Sequence, residues 1–275
     1  MRSSHHRNHH ARRLLCLTAL ACFVVGGTAY ACTRKAAVPQ LPELPAESLA
    51  QPAENGAQQS PLTAAQAQAL LDDPRMILVN RTHKMPEDYP VETKECGSAT
   101  AINKTLQTEA ADAFLAMQAA AAKDGVTIWM QSGYRSVSYQ TNLYEKKTNY
   151  YKQQGYDDAK AKEMAAAIVN PPGYSEHNCG LAADLNSPEH TGLDEGFENT
   201  AAFRWLCQHA GEYGFILRYP KGAEEKTEIT YEPWHWRYVG VENAAKINAS
   251  GLCFEDYIET LQLSLIHISE PTRRS

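Results

Sequence analysis

The sequence predicts an α+β domain with a small, mainly antiparallel sheet flanked by helices. Helix-forming stretches fall in blocks rather than alternating one for one with strands. Strand candidates are short apolar runs bounded by Gly, Pro or Asn. The 275 residues, 43% hydrophobic and 21% charged, suffice for one sizeable core with processed ends.

Residues 1–31 read as an export signal or membrane anchor. A basic region from Arg2 to Arg13 precedes an apolar run from Leu14 to Tyr30, and the small-x-small triplet Ala29-Tyr30-Ala31 stands before Cys32. A buried helix is the alternative, but it would have to follow a His/Arg-rich start and precede a polar linker. At about 17 residues the run is at the short end for a bilayer span, and Ala29 stands where a lipobox has Leu. Cleavage after Ala31, lipidation at Cys32 and retention as an anchor all stay open. Residues 32–61, rich in Pro, Ala, Gln and Glu, have too few large apolar side chains to offset chain ordering and read as a flexible tether.

The folded domain is expected over residues 62–262. Leu62 to Leu71 suits a short helix, and Met76 to Asn80 has the apolar run of a strand. Thr105 to Lys123 is an Ala-rich helix ending at Asp124-Gly125, where Gly takes a left-handed cap. Val126 to Met130 is a strand leading into the turn Ser132 to Ser136. Val137 to Gln154 and Asp157 to Val169 are helical, and Pro171-Pro172-Gly173 stops the second. Leu181 to Leu185 is a strand. In Asn199 to Tyr213, Phe203, Leu206, Ala210 and Tyr213 share a face, with Gly214 as cap. Phe215 to Tyr219 and Trp234 to Val239 are strands, followed by helical stretches at Glu242 to Asn248 and Phe254 to Leu261. Residues 263–275 resemble the in-frame translation of a sequencing-library adapter and are set aside as a tail, with no role for His267.

The formal charge of −6 argues against a nucleic-acid binder, and no basic patch for phosphate backbones is present. Removing residues 1–31, which hold four arginines and no acid, takes it to about −10. No nucleic-acid partner is expected. Cys96, Cys179, Cys207 and Cys253 remain in the body. Export permits two disulfides among them in three connectivities, with free buried thiols as the alternative. No C-x-x-C pair suggests a structural zinc.

Three segments collect the residue types of a catalytic metal site: Ser175 to Asp184, Glu232 to Trp236, and Ser132 to Ser136 with Arg135. Two imidazoles and one carboxylate would leave the fourth tetrahedral position open, which separates a catalytic zinc from a closed structural one. Glu232 and His235 are three apart and would face opposite sides of an extended strand, so Pro233 implies a bend that turns both one way. Singly, each residue has an ordinary reading: a surface or core histidine, a capping Asp184, a solvated Glu232, a salt-bridged Arg135.

Taken together they carry a resemblance. Ser175-x-His177-x-x-Gly180-x-Ala182-x-Asp184, Glu232-x-x-His235, the segment Gln131 to Ser136 and the segment Tyr213 to Pro220 resemble, in order, the signatures of the LAS zinc metallopeptidases, specifically the VanY-type D-alanyl-D-alanine carboxypeptidases. The resemblance runs from about Leu78 to Ile258. It implies the hedgehog/DD-peptidase-like α+β fold, one Zn2+ per chain held by His177, Asp184 and His235, and Glu232 as the catalytic general base. It also implies Arg135 at the substrate carboxylate or the oxyanion, with Ser175 and Gln131 as further substrate contacts. The enzyme it implies is a monomer that removes the terminal D-Ala of peptidoglycan stem peptides outside the cytoplasm, with a membrane tether through its N-terminus open. Cys179 departs from the small polar residue expected there and could be a disulfide partner, a neutral replacement or a competing thiol. His83, His190 and His209 match no ligand position.

A serine carboxypeptidase is excluded: Ser-x-x-Lys is absent, Lys226-Thr227 is followed by Glu228, and Ser175 sits in no Gly-x-Ser-x-Gly elbow. An L,D-carboxypeptidase acting on tetrapeptide stems and an inactive wall-binding module are the competing readings.

Overall fold

The computed structural model describes residues 62–98 and 101–269, with side chains described to residue 266. The export segment and the tether lie outside the described residues. Thr63 opens helix α1 (Ala64–Leu71) with a reciprocal capping box to Gln66. A two-stranded antiparallel ribbon follows, β1 (Thr93–Glu95) with β2 (Thr105–Gln107). It leads into α2 (Thr108–Lys123), which buries Ala110, Ala111, Phe114, Met117 and Ala121 at helical spacing.

The main sheet contains β3 (Trp129–Ser132), β4 (Ala182–Asn186), β5 (Phe215–Leu217) and β6 (His235–Tyr238). Its order is β3-β4-β6-β5, and every pairing is antiparallel. The two central strands, β4 and β6, are buried along their whole length, so polar residues on them need partners inside the protein. Between β3 and β4 lie α3 (Val137–Gln153) and α4 (Asp158–Ala166), which ends ahead of Pro171. Helix α5 (Ala201–His209) tightens into a 3-10 turn that stops at left-handed Gly214.

One core lies between the main sheet, α2 and α5. A second gathers α1 with α7 (Val241–Ser250) and α8 (Phe254–Ser269), using Leu70, Ile247, Ile258 and Leu261. A single turn, α6 (Glu224–Thr227), precedes β6. Among the described residues no helix is long and apolar enough to cross a membrane.

The structure departs from the sequence expectations in three places. Met76 to Asn80 is not a strand. The carbonyls of Arg75 and Ile77 there accept hydrogen bonds from buried Arg237 Nη2, both at 2.8 Å, so a guanidinium takes the place of a ladder. Thr105–Gln107 pairs as β2 before the helix begins, because Gln107 N–H is drawn to Gly180 O at 2.8 Å. Residues 263–269, set aside from the sequence, continue α8, and Leu265 packs on the second core. The four body cysteines are free thiols, Cys96 and Cys179 buried.

Candidate metal centre

Strand register builds the centre. Ser132 lies opposite Asp184, and Asp184 opposite His235, so one row across β3, β4 and β6 carries a hydroxyl, a carboxylate and an imidazole. His177 arrives from the 3-10 turn Glu176–Cys179 that immediately precedes β4. Gly180 makes the return possible: it sits at φ 72°, a conformation that costs an L side chain energy. Glu232 is placed by the bend the sequence implied. His235 N–H closes a turn onto Glu232 O at 3.2 Å, and β6 begins only at His235.

The row and the turn bring three ligand-type atoms together, all within 4.8 Å of one another. His177 Nε2 lies 3.3 Å and His235 Nδ1 3.2 Å from the same Asp184 Oδ1. Each group is oriented from behind. His177 Nδ1 donates to Gly133 O at 2.7 Å. Asp184 Oδ2 accepts from Arg135 Nη2, and Arg135 Nε donates to Ser132 Oγ at 3.1 Å. His235 Nε2 faces Glu176 Oε2 at 3.4 Å. Two nitrogens and one oxygen, each braced by a second partner, fit a zinc ion with an open position. Glu232 stands beside this set, Oε2 3.6 Å from His235 Nδ1.

Gly133 is held tightly enough to test. A Cβ there would lie 2.2 Å from Thr105 O, a backbone atom that cannot swing away. Gly133→Ala is therefore expected to cost about 2–3 kcal/mol, lowering Tm by roughly 5–10 °C for a domain of this size. A thermal melt matching wild type would show that the β2–Gly133 contact is looser than described.

The charges are strongly coupled. Burial pushes the Glu232 carboxyl up to about 7, only partly countered by His235. Burial would raise Asp184 also, but His177 and Arg135 hold it well below the usual carboxylate range. Burial and the Arg135 guanidinium pull His177 below the ordinary imidazole value. For His235 burial acts downward, and the Asp184 and Glu176 carboxylates outweigh it, raising the ring to about 9. A cluster that keeps two carboxylates and two imidazoles out of water is primed for a cation.

These groups open onto a cavity of about 270 Å³, lined also by Ser175, Tyr139, Gln140 and Trp234 and, on its apolar side, by Leu143, Ile168, Leu193 and Ile229. Arg135 and Ser175, expected from the sequence as substrate contacts, both line this cavity. Gln131, the weaker candidate, lies at the register irregularity between Met130 and Ser132 and is not among the cavity-lining residues. Ser132 lines the cavity, with its hydroxyl accepting from Asn103 Nδ2 at 3.2 Å and from Arg135 Nε at 3.1 Å. Cys179 points away, its thiol donating to Glu176 O at 2.9 Å and pushed up to about 11 by burial, so it does not join the metal-ligand set. His83, His190 and His209 find local partners in Asn80, Asp194 and Glu212.

The sequence reading gave no role to a buried network behind the centre. Glu176 Oε1 accepts from Arg218 Nε and Arg237 Nη1, both at 2.7 Å, and Arg218 also forks onto Glu255 of α8. Both arginine side chains are completely buried and stack on Phe254 at 5.2 Å. Burial would raise Glu176, yet the two guanidiniums hold its carboxyl below the usual range. Only the odd placement of charges in the strand-like runs Phe215–Tyr219 and Trp234–Val239 hinted at this.

The family model for VanY D-alanyl-D-alanine carboxypeptidase matches residues 103–241, which contain every group of the centre. The chain is 37% identical over 226 residues to a D-alanyl-D-alanine carboxypeptidase of Enterococcus faecalis (strain ATCC 700802 / V583), covering 80% of each protein. This chain belongs to the VanY D-alanyl-D-alanine carboxypeptidase family. Among solved structures it resembles a point variant of the vancomycin-resistance D,D-pentapeptidase VanY from a VanB-type cassette, in complex with Zn(II). That match has 37% identity and a TM-score of 0.58, covering 67% of this chain and 99% of that one. It also resembles the LdcB LD-carboxypeptidase, at 35% identity and a TM-score of 0.59, covering 69% and 88%. Both likenesses rest on the same α+β architecture, a small antiparallel sheet among helices.

Proposed function

We propose that this protein is a zinc-dependent D-alanyl-D-alanine carboxypeptidase that removes the C-terminal D-Ala of peptidoglycan stem peptides. The observation that carries the reading is the convergence of His177, Asp184 and His235 on one point, with Glu232 beside it and Arg135 on the same cavity. His177 Nε2, His235 Nδ1 and Asp184 Oδ1 would hold the metal. Zinc bound there supplies a Lewis acid for the scissile carbonyl and makes water acidic enough to attack near neutral pH.

Glu232 takes the proton of the attacking water and returns it to the departing D-Ala amine. Its carboxyl is buried beside the ligand set, where a proton can be held close to the attacking water's site. Arg135, fixed by Ser132 and Asp184, keeps Nη1 for the substrate's terminal carboxylate or the developing oxyanion. Ser175, buried at the cavity wall, adds a hydroxyl for the same carboxylate. Leu143, Ile168, Leu193 and Ile229 offer an apolar surface for the alanine methyls. The basic-then-apolar start of residues 1–31 and the Pro/Ala/Gln-rich residues 32–61 support the reading of an exported monomer acting outside the cytoplasm, with cleavage, lipidation and anchoring all open.

The test is D-Ala release from synthetic pentapeptide and tetrapeptide stems by the zinc-loaded protein. Release from the pentapeptide, at least tenfold faster in kcat/KM than from the tetrapeptide, is expected. The likeness to LdcB makes the L,D reading the specific competitor, and the opposite preference would establish it. Cleavage of neither stem would leave a wall-binding role.

A further inference from the structure

We propose that Glu176 is a positioning residue for the metal centre, fixing the His235 tautomer so that Nδ1 keeps the lone pair that faces the metal. The proposal rests on the zinc-ligand reading of His177, Asp184 and His235. The His235 ring lies between two carboxylates, with Nδ1 3.2 Å from Asp184 Oδ1 and Nε2 3.4 Å from Glu176 Oε2. A neutral imidazole has one N–H, and the nitrogen that donates it cannot ligate. Glu176 is the hydrogen-bond partner of Nε2 among the described residues, so a proton held there leaves Nδ1 open.

Glu176 cannot swing away from that duty. Its other oxygen, Oε1, accepts from Arg218 and Arg237 at 2.7 Å each. Those guanidiniums are fixed in turn by Glu255 and by the carbonyls of Arg75 and Ile77. His177 meets the same requirement through the backbone: Nδ1 donates to Gly133 O at 2.7 Å and Nε2 is presented. The two imidazoles therefore offer opposite nitrogens to one point, one set by a carbonyl and the other by a buried carboxylate. A carboxylate acceptor also makes the ring a stronger donor to a cation than a carbonyl does.

Glu176→Gln separates this role from mere packing. The two arginines claim the amide oxygen and turn the NH2 toward His235 Nε2, which must then accept; the ring proton moves to Nδ1 and the metal loses its lone pair. Zinc affinity, read by chelator competition, is expected to fall about 10- to 100-fold. A Kd within threefold of wild type would overturn the proposal. Glu176→Gln also leaves Arg218 and Arg237 one anion short, so the tautomers are read in the wild-type protein as well. Long-range 1H–15N spectra of the zinc-loaded enzyme should show protons on Nε2 of His235 and on Nδ1 of His177. Metal on His235 Nε2 would overturn the proposal while leaving the ligand set standing. Absence of stoichiometric zinc binding by wild type would instead remove the ligand reading, and this proposal with it.

Discussion

Glu232→Gln should retain zinc yet release D-Ala about a thousandfold more slowly than wild type, the middle of the range for losing a positioned general base. The carboxylate touches the metal set from outside it: Oε2 is 3.6 Å from His235 Nδ1, while His177, Asp184 and His235 close on one another without it. Removing its charge leaves all three ligands and their bracing partners in place. The loss should therefore fall on kcat, with KM little changed, because the interaction removed exists only as the proton moves. Zinc affinity within about fivefold of wild type completes the expectation. A variant that keeps a tenth of wild-type kcat would show that another group accepts the proton, and one that loses zinc would make Glu232 a ligand.

Chelation should remove both activity and a large part of the thermal stability, and stoichiometric zinc should restore them. A ligand that binds only the native state stabilises it by about 4 kcal/mol when present at a thousand times its Kd. For a domain of this size that corresponds to a rise in Tm of roughly 8–16 °C. The physical source is the cluster itself, where Asp184 and Glu232 are withdrawn from water beside two imidazoles. Asp184→Ala deletes the oxygen that both imidazoles approach and should abolish the zinc-induced shift. Activity surviving complete chelation, or an equal zinc shift in Asp184→Ala, would remove the metal from the mechanism.

The centre was legible in the sequence because its groups sit in short segments. His177 and Asp184 are seven residues apart around a single glycine turn, and Glu232 and His235 flank one proline. The sheet was legible for a related reason: its strands are brief apolar runs with clear stops. What could not be read was decided by contacts between distant segments. Glu176, Arg218, Arg237 and Glu255 look like surface charges one at a time, and only pairing across 37 to 61 positions makes the first three interior and draws in Glu255. Met76 to Asn80 has a strand's composition, yet a guanidinium from β6 uses carbonyls at its start. That Ser132 rather than Gln131 lines the cavity goes with an irregular register in β3, which no local pattern announces. The β1–β2 ribbon is too short and, in β1, too exposed to leave a period.

The clasp between Arg218 and Glu255 ties the charge balance behind the centre to α8. The row that carries Asp184 and His235 can pair once β6 exists, but the guanidinium behind Glu176 gains its second anion only when residue 255 has left the ribosome. A nascent chain stopped before α8 has both buried arginines sharing the single carboxylate of Glu176, an imbalance that a low-dielectric interior penalises heavily. A chain shortened before α8 is therefore expected to hold zinc more weakly than the full chain, as read by chelator competition.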